Sequence, residues 1–187
     1  MDEEVRKAAE IVQSGGTILY PTDTIWGIGC DATREDSVEQ VYKIKKRTDR
    51  RSMLVLVSET HMLAEYVIKI PQSALEIART ASRPTTIIYP GAVNLAPNLI
   101  AEDGTVGIRI TSDPFCRKLI EMTGLPIVST SANTSGQPSP DTFHSIEPLI
   151  LDLVDHVVVW RQDDSTPALP SSIIKVDEMG RITRLRA

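Results

Sequence analysis

The sequence has too few disulfide-forming and metal-binding residues for several common classes of protein. Its only cysteines, Cys30 and Cys116, form no C-x-x-C motif, and we expect both to be small buried side chains. No long apolar run is present, and the acidic residues that follow Met1 are unlike a signal peptide. These absences argue against a disulfide scaffold, a zinc site and a membrane span, and they predict a cytoplasmic protein.

The motifs of four large enzyme classes are also missing. The chain contains no G-x-x-x-x-G-K-[ST] loop, no G-x-G-x-x-G, no H-E-x-x-H and no G-x-S-x-G. Its three histidines, His61, His144 and His156, lie in unrelated contexts, and we interpret them as surface or structural residues. A Ser-His-Asp hydrolase and a zinc hydrolase are therefore disfavoured.

Hydrophobic and turn patterns predict helices and short strands that mostly alternate along a single domain, 1–187. Hydrophobic residues make up 41% and charged residues 24%, as in an ordinary soluble globular protein. The predicted helices cover 5–12, 33–46, 72–81, 113–124 and 145–151. The predicted strands cover 17–20, 53–57, 85–89, 105–110, 126–129, 156–160, 172–176 and 181–185. This order favours an α/β fold with a mixed sheet.

Positive charge is concentrated in one short stretch of an acidic protein. Residues 43–51 hold six of the chain's 20 basic residues and one of its 25 acidic residues, whereas the formal net charge of the chain is −5. Like charges three or four residues apart on a helix cost roughly 0.2–0.5 kcal/mol per pair. The stretch is either a solvated basic face or an anion site whose ligand supplies the missing negative charge.

The basic stretch begins at the C-terminal end of a predicted helix, where cations suit the helix dipole. On an intact helix Lys45 and Arg47, two residues apart, would point in different directions. In extended backbone they would share a face. We therefore predict that the helix unwinds near Lys46 and turns both side chains toward one site.

Hydroxyl and amide side chains recur two residues apart in two loops, at Thr22/Thr24, Ser129/Ser131 and Ser131/Asn133. In extended backbone each pair shares a face. Such groups bind phosphate, ribose or amino-acid polar atoms, although turn formation and capping explain the same residues equally well. Arg109, at the end of a predicted strand, is either a surface charge or a ligand-binding group.

Taken together, these features resemble the YrdC-like (TsaC) family in its short, single-domain form. The resemblance rests on P-T-D-T at 21–24 with Gly27 and Gly29, K-K-R at 45–47, Thr105-x3-Arg109, and S-T-S-A-N at 129–133 with Gly136. These motifs follow the family's order from about residue 9 to the C-terminus. The K-x-R and S-x-N signatures are specific together and weak apart.

The resemblance implies an L-threonylcarbamoyladenylate synthase, a nucleotidyltransferase that converts ATP, L-threonine and bicarbonate into L-threonylcarbamoyl-AMP and pyrophosphate. A partner threonylcarbamoyl transferase complex then modifies an adenosine beside the tRNA anticodon. Mg²⁺ is expected with the nucleotide, held mostly by phosphate and water rather than by a protein metal site. The family fold is a twisted α/β sheet bordering a large, positively charged concave cleft.

The family pattern also assigns roles to residues of this sequence. It places Lys45, Arg47 and Arg51 on the nucleotide phosphates and the forming carbamate. Ser131 and Asn133, with Ser129, hold the adenylate from the opposite wall. Thr24, Thr105, Arg109 and Ser171 take the threonine, and Arg184 lies near the nucleotide. Lys45, Arg47, Ser131 and Asn133 are the expected catalytic residues.

Three departures from the family pattern concern the loops around the expected cleft. Thr48 follows the K-x-R arginine where the family usually has proline, Leu56 replaces a histidine of the longer members, and residues 81–86 replace a W-P-G-P-x-T motif. The alternative to a synthase is a related protein that binds RNA in the cleft, or serves as a maturation factor, without forming an adenylate. The intact S-x-N signature favours the enzyme.

Overall fold

A computed structural model describes residues 1–46 and 53–187, and within those residues nine strands form one mixed sheet. The strands are β1 (Ile18–Tyr20), β2 (Gly27–Gly29), β3 (Leu54–Val57), β4 (Thr85–Tyr89), β5 (Val106–Ile110), β6 (Ile127–Ser131), β7 (His156–Val157), β8 (Ser172–Val176) and β9 (Ile182–Arg186). Their order across the sheet is β7-β1-β2-β6-β3-β5-β4-β8-β9. Parallel and antiparallel pairs alternate through its centre, as the mixed-sheet prediction requires.

Helices surround this sheet in the described residues. They are α1 (Asp2–Gln13), α2 (Glu35–Ile44), α3 (Thr60–Tyr66), α4 (Gln72–Thr80), α5 (Pro114–Thr123) and α6 (Pro148–Leu153), with single 3₁₀ turns at Pro97–Leu99 and Phe143–Ser145. The helix α1 forms as predicted, because Val5, Ala8, Ala9 and Val12 make one buried stripe at helical spacing. None of these helices has the length and apolar character needed to cross a bilayer.

The helix α5 has the ends that its sequence predicts. The Asp113 carboxylate accepts a hydrogen bond from the backbone N–H of Cys116 at 3.0 Å, which satisfies one of the free donors of the first turn. Gly124 ends the helix with a φ of 69°, a left-handed conformation that glycine adopts without steric cost. Both predicted boundaries are confirmed.

Two local predictions were wrong, and one helix was not predicted. Thr33 does not cap α2, because its hydroxyl donates to Asp31 at 2.7 Å and Arg34 precedes the first helical residue. The strand β2 lies inside a segment predicted to be a loop. Its Gly29 is a glycine for packing reasons, because Tyr20 and Val128 approach closely and leave no room for a Cβ there. The short helix α3 was also not predicted.

Both cysteines are buried as small core side chains, as expected. Cys30 and Cys116 are free thiols with exposures of 0% and 1%. Burial raises the pKa of both thiols, most strongly through loss of hydration of the thiolate. Neither is therefore an available nucleophile at neutral pH.

Candidate functional site

The centre of the sheet forms the floor of a cleft on one of its faces. Residues at matching register across neighbouring strands point to this face: Gly27 opposite Ser131, Leu54 opposite Ser129, and Ile88 opposite Gly107. The cavity has a volume of about 230 Å³. Its described lining is Thr24, Ile25, Trp26, Gly27, Met53, Leu54, Thr86, Ile88, Gly107, Arg109, Ser129, Thr130, Ser131, Ser139, Pro170, Ser171, Ile173 and Arg186.

The charged groups of the described lining are two arginines, and no carboxylate lies among them. The predicted positive charge of the cleft also depends on Arg47 and Arg51, which lie outside the described residues, so it stays a prediction. One wall is aromatic, because Trp26 packs against Phe143 with ring centroids 4.9 Å apart. The cleft therefore combines cations and hydroxyls with apolar surface, the usual composition of a small-molecule site.

The loop after β1 is folded by its own threonines. The Thr22 hydroxyl donates to the carbonyl of Ile25 at 2.8 Å and accepts from the backbone N–H of Thr24 at 3.0 Å. The two hydroxyls lie 2.9 Å apart, and the Thr22 hydroxyl serves the turn formation that the sequence left open as the alternative to ligand binding. Thr24 is thereby held at the mouth of the cleft, where its hydroxyl accepts from Arg109 Nη2 at 3.3 Å.

Arg109 is the buried cation of the cleft floor, with 2% of the residue exposed. Its Nη2 lies 2.9 Å from Oδ1 of Asp23, whose other carboxylate oxygen accepts from the backbone N–H of Ser112 at 3.3 Å. Its Nε finds no hydrogen-bond acceptor among the described residues. A buried guanidinium with an unsatisfied N–H is unfavourable alone and is suited to a ligand carboxylate or phosphate.

The basic helix end meets the hydroxyl-amide turn, as the sequence predicts. The helix α2 ends at Ile44, and Lys46 takes a left-handed φ of 49°. The Lys45 ammonium donates to the carbonyls of Ser131 at 2.5 Å and Asn133 at 2.8 Å and lies 3.5 Å from the Ser131 hydroxyl. Lys45 is 3% exposed, so it joins two distant segments inside the protein. The orientation of Arg47 lies outside the described residues.

The S-x-N turn presents hydroxyls to the cleft and an amide behind them. Ser129 and Ser131 line the cavity from β6. The Asn133 amide donates to the carbonyls of Thr134 at 2.9 Å and Gln137 at 2.8 Å. Its Oδ1 is buried and accepts no hydrogen bond from a described residue. This oxygen is a free acceptor beside a row of hydroxyls.

The opposite wall is a cluster of hydroxyls around a second arginine. The Ser171 hydroxyl lies 2.8 Å from that of Thr86, and both residues are 2% exposed. Arg186 donates through Nε to the Ser171 carbonyl at 2.9 Å and through Nη2 to its hydroxyl at 3.4 Å. Loss of hydration lowers the pKa of Arg186, and the charges of Arg109 and Arg83 lower it further.

Four of the described residues assigned from the resemblance, Lys45, Asn133, Thr105 and Arg184, do not belong to the described cleft lining. The Thr105 hydroxyl donates to Asp103 at 2.6 Å before β5 begins. Arg184 lines a separate cavity, because a β-bulge in the pairing of β8 with β9 places Arg184 opposite Ile174 and Arg186 opposite Ile173. Sequence alternation carries no sign of that bulge. Arg186 was therefore missed as a cleft residue. Thr86, in β4, was also not assigned to the cleft from the sequence.

Of the departures, Thr48 lies outside the described residues and Thr86 lines the cleft, whereas Leu56, residues 81–85 and the histidines lie outside the described cleft lining. Leu56 is buried in β3 beside Arg109 in the sheet register, and residues 81–85 line a cavity on another face. Within 1–46 and 53–187, no histidine lines the cleft and no three His, Cys, Asp or Glu side chains cluster as metal ligands. The described charged groups of this cleft are arginines, which are suited to anionic ligands.

Comparison with known sequences finds related proteins over most of the chain. A family profile of Sua5, YciO and YrdC proteins, described as "Telomere recombination", matches residues 10–187. A threonylcarbamoyl-AMP synthase of Pseudomonas paraeruginosa is 34% identical over 152 residues, which are 81% of this chain and 82% of that protein.

Comparison with solved structures finds the same fold. Sua5 of P. abyssi complexed with L-threonine superposes with a TM-score of 0.86 at 24% identity, over 100% of this chain and 54% of that one. E. coli YciO gives a TM-score of 0.85 at 23% identity, over 100% of this chain and 89% of that one. The likeness confirms the predicted α/β fold, and the chain spans little more than half the length of the P. abyssi protein.

The contacts of Lys45 predict a structural cost when its charge is removed. In Lys45→Met the carbonyls of Ser131 and Asn133 lose charge-assisted hydrogen bonds, so the free energy of unfolding should fall by about 1–3 kcal/mol. Lys46→Met is the matched control, because Lys46 is exposed at the same helix end. Urea unfolding of the two variants measures the difference. Equal midpoints would show that the ammonium does not stabilise the turn.

Proposed function

The chain belongs to the family of Sua5, YciO and YrdC proteins and is an enzyme, and from that premise we propose that it is an L-threonylcarbamoyladenylate synthase. The proposed reaction consumes ATP, L-threonine and bicarbonate and yields L-threonylcarbamoyl-AMP and pyrophosphate. The observation that carries the proposal is the buried Arg109, whose Nε lacks a described acceptor in a cleft whose described lining has no carboxylate.

Threonine is proposed to bind at Arg109. Its carboxylate would accept from the free Nε and a neighbouring N–H of the guanidinium, a geometry that suits two parallel hydrogen bonds. The Thr24 hydroxyl, 3.3 Å from Arg109 Nη2, and the Ser171 hydroxyl would contact the polar groups of the same ligand. The proposal does not extend to Thr105, whose hydroxyl is bonded to Asp103.

ATP is proposed to lie between the basic helix end and the S-x-N turn. Of the three cations assigned to the phosphates, Arg47 and Arg51 would stabilise them with charge-assisted hydrogen bonds of about 1.5–3 kcal/mol each. Lys45, whose ammonium bonds to the carbonyls of Ser131 and Asn133, would position the turn beside them. Ser129 and Ser131, which line the cleft, would hold the nucleotide from the facing wall. Asn133, whose buried Oδ1 has no described donor, is proposed to act with them. Since no metal-binding cluster occurs in the described residues, Mg²⁺ would be held by phosphate oxygens and water.

The chemistry needs no nucleophile from the protein. The threonine amine forms the C–N bond with the carbon of bicarbonate and water leaves, and an oxygen of the resulting carbamate attacks the α-phosphate of ATP as pyrophosphate leaves. The cleft must align these groups, stabilise the phosphate charge and exclude water from a labile carbamate. Arginines and hydroxyls beside the aromatic wall of Trp26 and Phe143 are suited to those three tasks.

The pathway context follows from the proposed product. An activated threonylcarbamoyl group is a donor for transfer, so a threonylcarbamoyl transferase complex would receive it and modify an adenosine beside the tRNA anticodon. Direct binding of RNA in the cleft is the alternative use of the same basic surface, without adenylate formation.

The central experiment is isotope exchange between pyrophosphate and ATP. We expect exchange to require both L-threonine and bicarbonate, because the adenylate forms only after the carbamate. Omitting either substrate is the internal control. RNA binding or a maturation role without exchange, at ordinary substrate concentrations, would support the alternative and reject the synthase.

The assignment of threonine to Arg109 predicts a selective change in Arg109→Lys. The variant keeps the charge that pairs with Asp23 but loses the forked donor, so KM for threonine should rise about tenfold or more. KM for ATP should change little, because the phosphates are proposed to bind elsewhere. Steady-state pyrophosphate release measures both constants. An equal rise in the two would contradict the assignment.

The bulge in the last hairpin predicts which terminal arginine serves the nucleotide. Arg186→Ala removes a guanidinium from the cleft and should raise KM for ATP by about tenfold, whereas Arg184→Ala should leave it unchanged. The two residues lie in the same strand, so the second variant controls for effects on the hairpin. A larger rise in KM for ATP in Arg184→Ala than in Arg186→Ala would show that Arg184, the residue matched by the family pattern, serves the nucleotide.

A further inference from the structure

A second cavity, of about 320 Å³, lies on the opposite face of the sheet from the cleft. Strand alternation separates the two, since Thr86 and Ile88 of β4 line the cleft whereas Ile87 and Tyr89 line the second cavity. Its walls are α4, the loop after it, and the beginning of α5. The volume is in the range of small-molecule pockets.

Three arginines of the described part of the chain line this cavity, and two of them have no partner there. Arg79 and Arg83, on the last turn of α4 and the loop after it, form no ion pair or hydrogen bond through their side chains with any described residue. Arg117 of α5 lies 3.7 Å from Glu59 and 3.9 Å from Glu121, both at exposed positions. Exposed pairs at such distances neutralise little charge. In a protein with a net charge of −5, the cluster is a local positive field.

The acid in the described lining does not neutralise these arginines, because its charge is already balanced. Asp23 is the one carboxylate among the described residues that line the cavity. One of its oxygens lies 2.9 Å from Arg109 and the other accepts from the backbone N–H of Ser112. The charge available to a ligand is therefore positive.

The floor of the second cavity is apolar and its rim is hydroxylated. Ile87, Tyr89 and Ile108 lie under the floor and are each 1% exposed, so Ile110, Ala78 and Pro84, which are partly exposed, supply its apolar surface. The hydroxyl-bearing residues of the described lining are Ser82, Thr85, Thr111 and Ser112, besides Tyr89. A simple inorganic ion would use the arginines and leave the floor unused, whereas a neutral apolar molecule would use the floor and leave the arginines unpaired.

We propose that this second cavity binds an organic anion with an apolar body and a phosphate or carboxylate head. The body would cover the apolar surface around Ile110, and the head would pair with Arg79 and Arg83, with Arg117 across the cavity. Guanidinium groups bind either head through two parallel hydrogen bonds. The proposal does not depend on the proposed reaction, because it uses the other face of the sheet and other side chains.

Isoleucine methyl NMR distinguishes the two faces without any activity assay. Phenyl phosphate is the probe, titrated into the full chain to millimolar concentration. We expect saturable shifts at Ile87, Ile108 and Ile110, which line the second cavity. Ile88 and Ile173 report on the cleft, so shifts confined to those two would place the probe there and overturn the proposal.

Matched probes and variants assign the binding energy. Benzoate tests a carboxylate head, inorganic phosphate lacks the apolar body, and phenol lacks the charge. Inorganic phosphate and phenol should each bind about tenfold more weakly than the better of phenyl phosphate and benzoate. The double variant Arg79→Ala/Arg83→Ala should weaken phenyl phosphate by about tenfold or more. Arg6→Ala, at an exposed and unpaired position of α1, should not. Unchanged affinity in the double variant, or equal binding of phenol, would reject the proposal.

Discussion

The arrangement of the cleft depends on one buried ammonium group. Lys45 lies at the end of α2, and its contacts with the carbonyls of Ser131 and Asn133 join the helix to a turn more than eighty residues further along the chain. A buried ammonium is stable only when acceptors replace its water, so neither partner can move independently. The left-handed Lys46 ends the helix at this point and leads the chain onward to residues 47–52. The constraint therefore fixes both walls of the proposed nucleotide site.

A second buried charge organises the floor of the cleft. Arg109 is held by Asp23 and Thr24 from the loop after β1, and its Nε is left for a ligand. The loop is in turn fixed by Arg161, which donates to the Thr22 carbonyl at 3.3 Å and pairs with Asp113 at 3.0 Å. Arg109 is thus held by a loop that Arg161 holds in turn. Such preorganisation is what an electrostatic site requires.

Sequence patterns predicted the elements whose signals are local and failed where the cause is distant. The stripe of α1 and the cap at Asp113 followed from spacing and residue type, whereas the meeting of Lys45 with the S-x-N turn was expected from the family resemblance. The strand β2 was missed because glycine is a poor strand former, and Gly29 is required only by packing against Tyr20 and Val128. Arg186 rather than Arg184 lines the cleft because of a bulge between β8 and β9. The alternation of residues in a single sequence does not reveal such a bulge.

The kinds of side chain in the cleft limit what the protein itself can contribute to a reaction. Both thiols are buried with raised pKa values, and the described cleft lining contains no carboxylate, histidine or lysine. What remains are guanidinium and hydroxyl groups, which bind and orient anions but are poor bases and nucleophiles at neutral pH. The proposed reaction does not ask these described groups for a nucleophile, because its substrates supply one. The threonine amine forms the carbamate, and the carbamate then attacks the phosphate, beside groups that bind and orient anions.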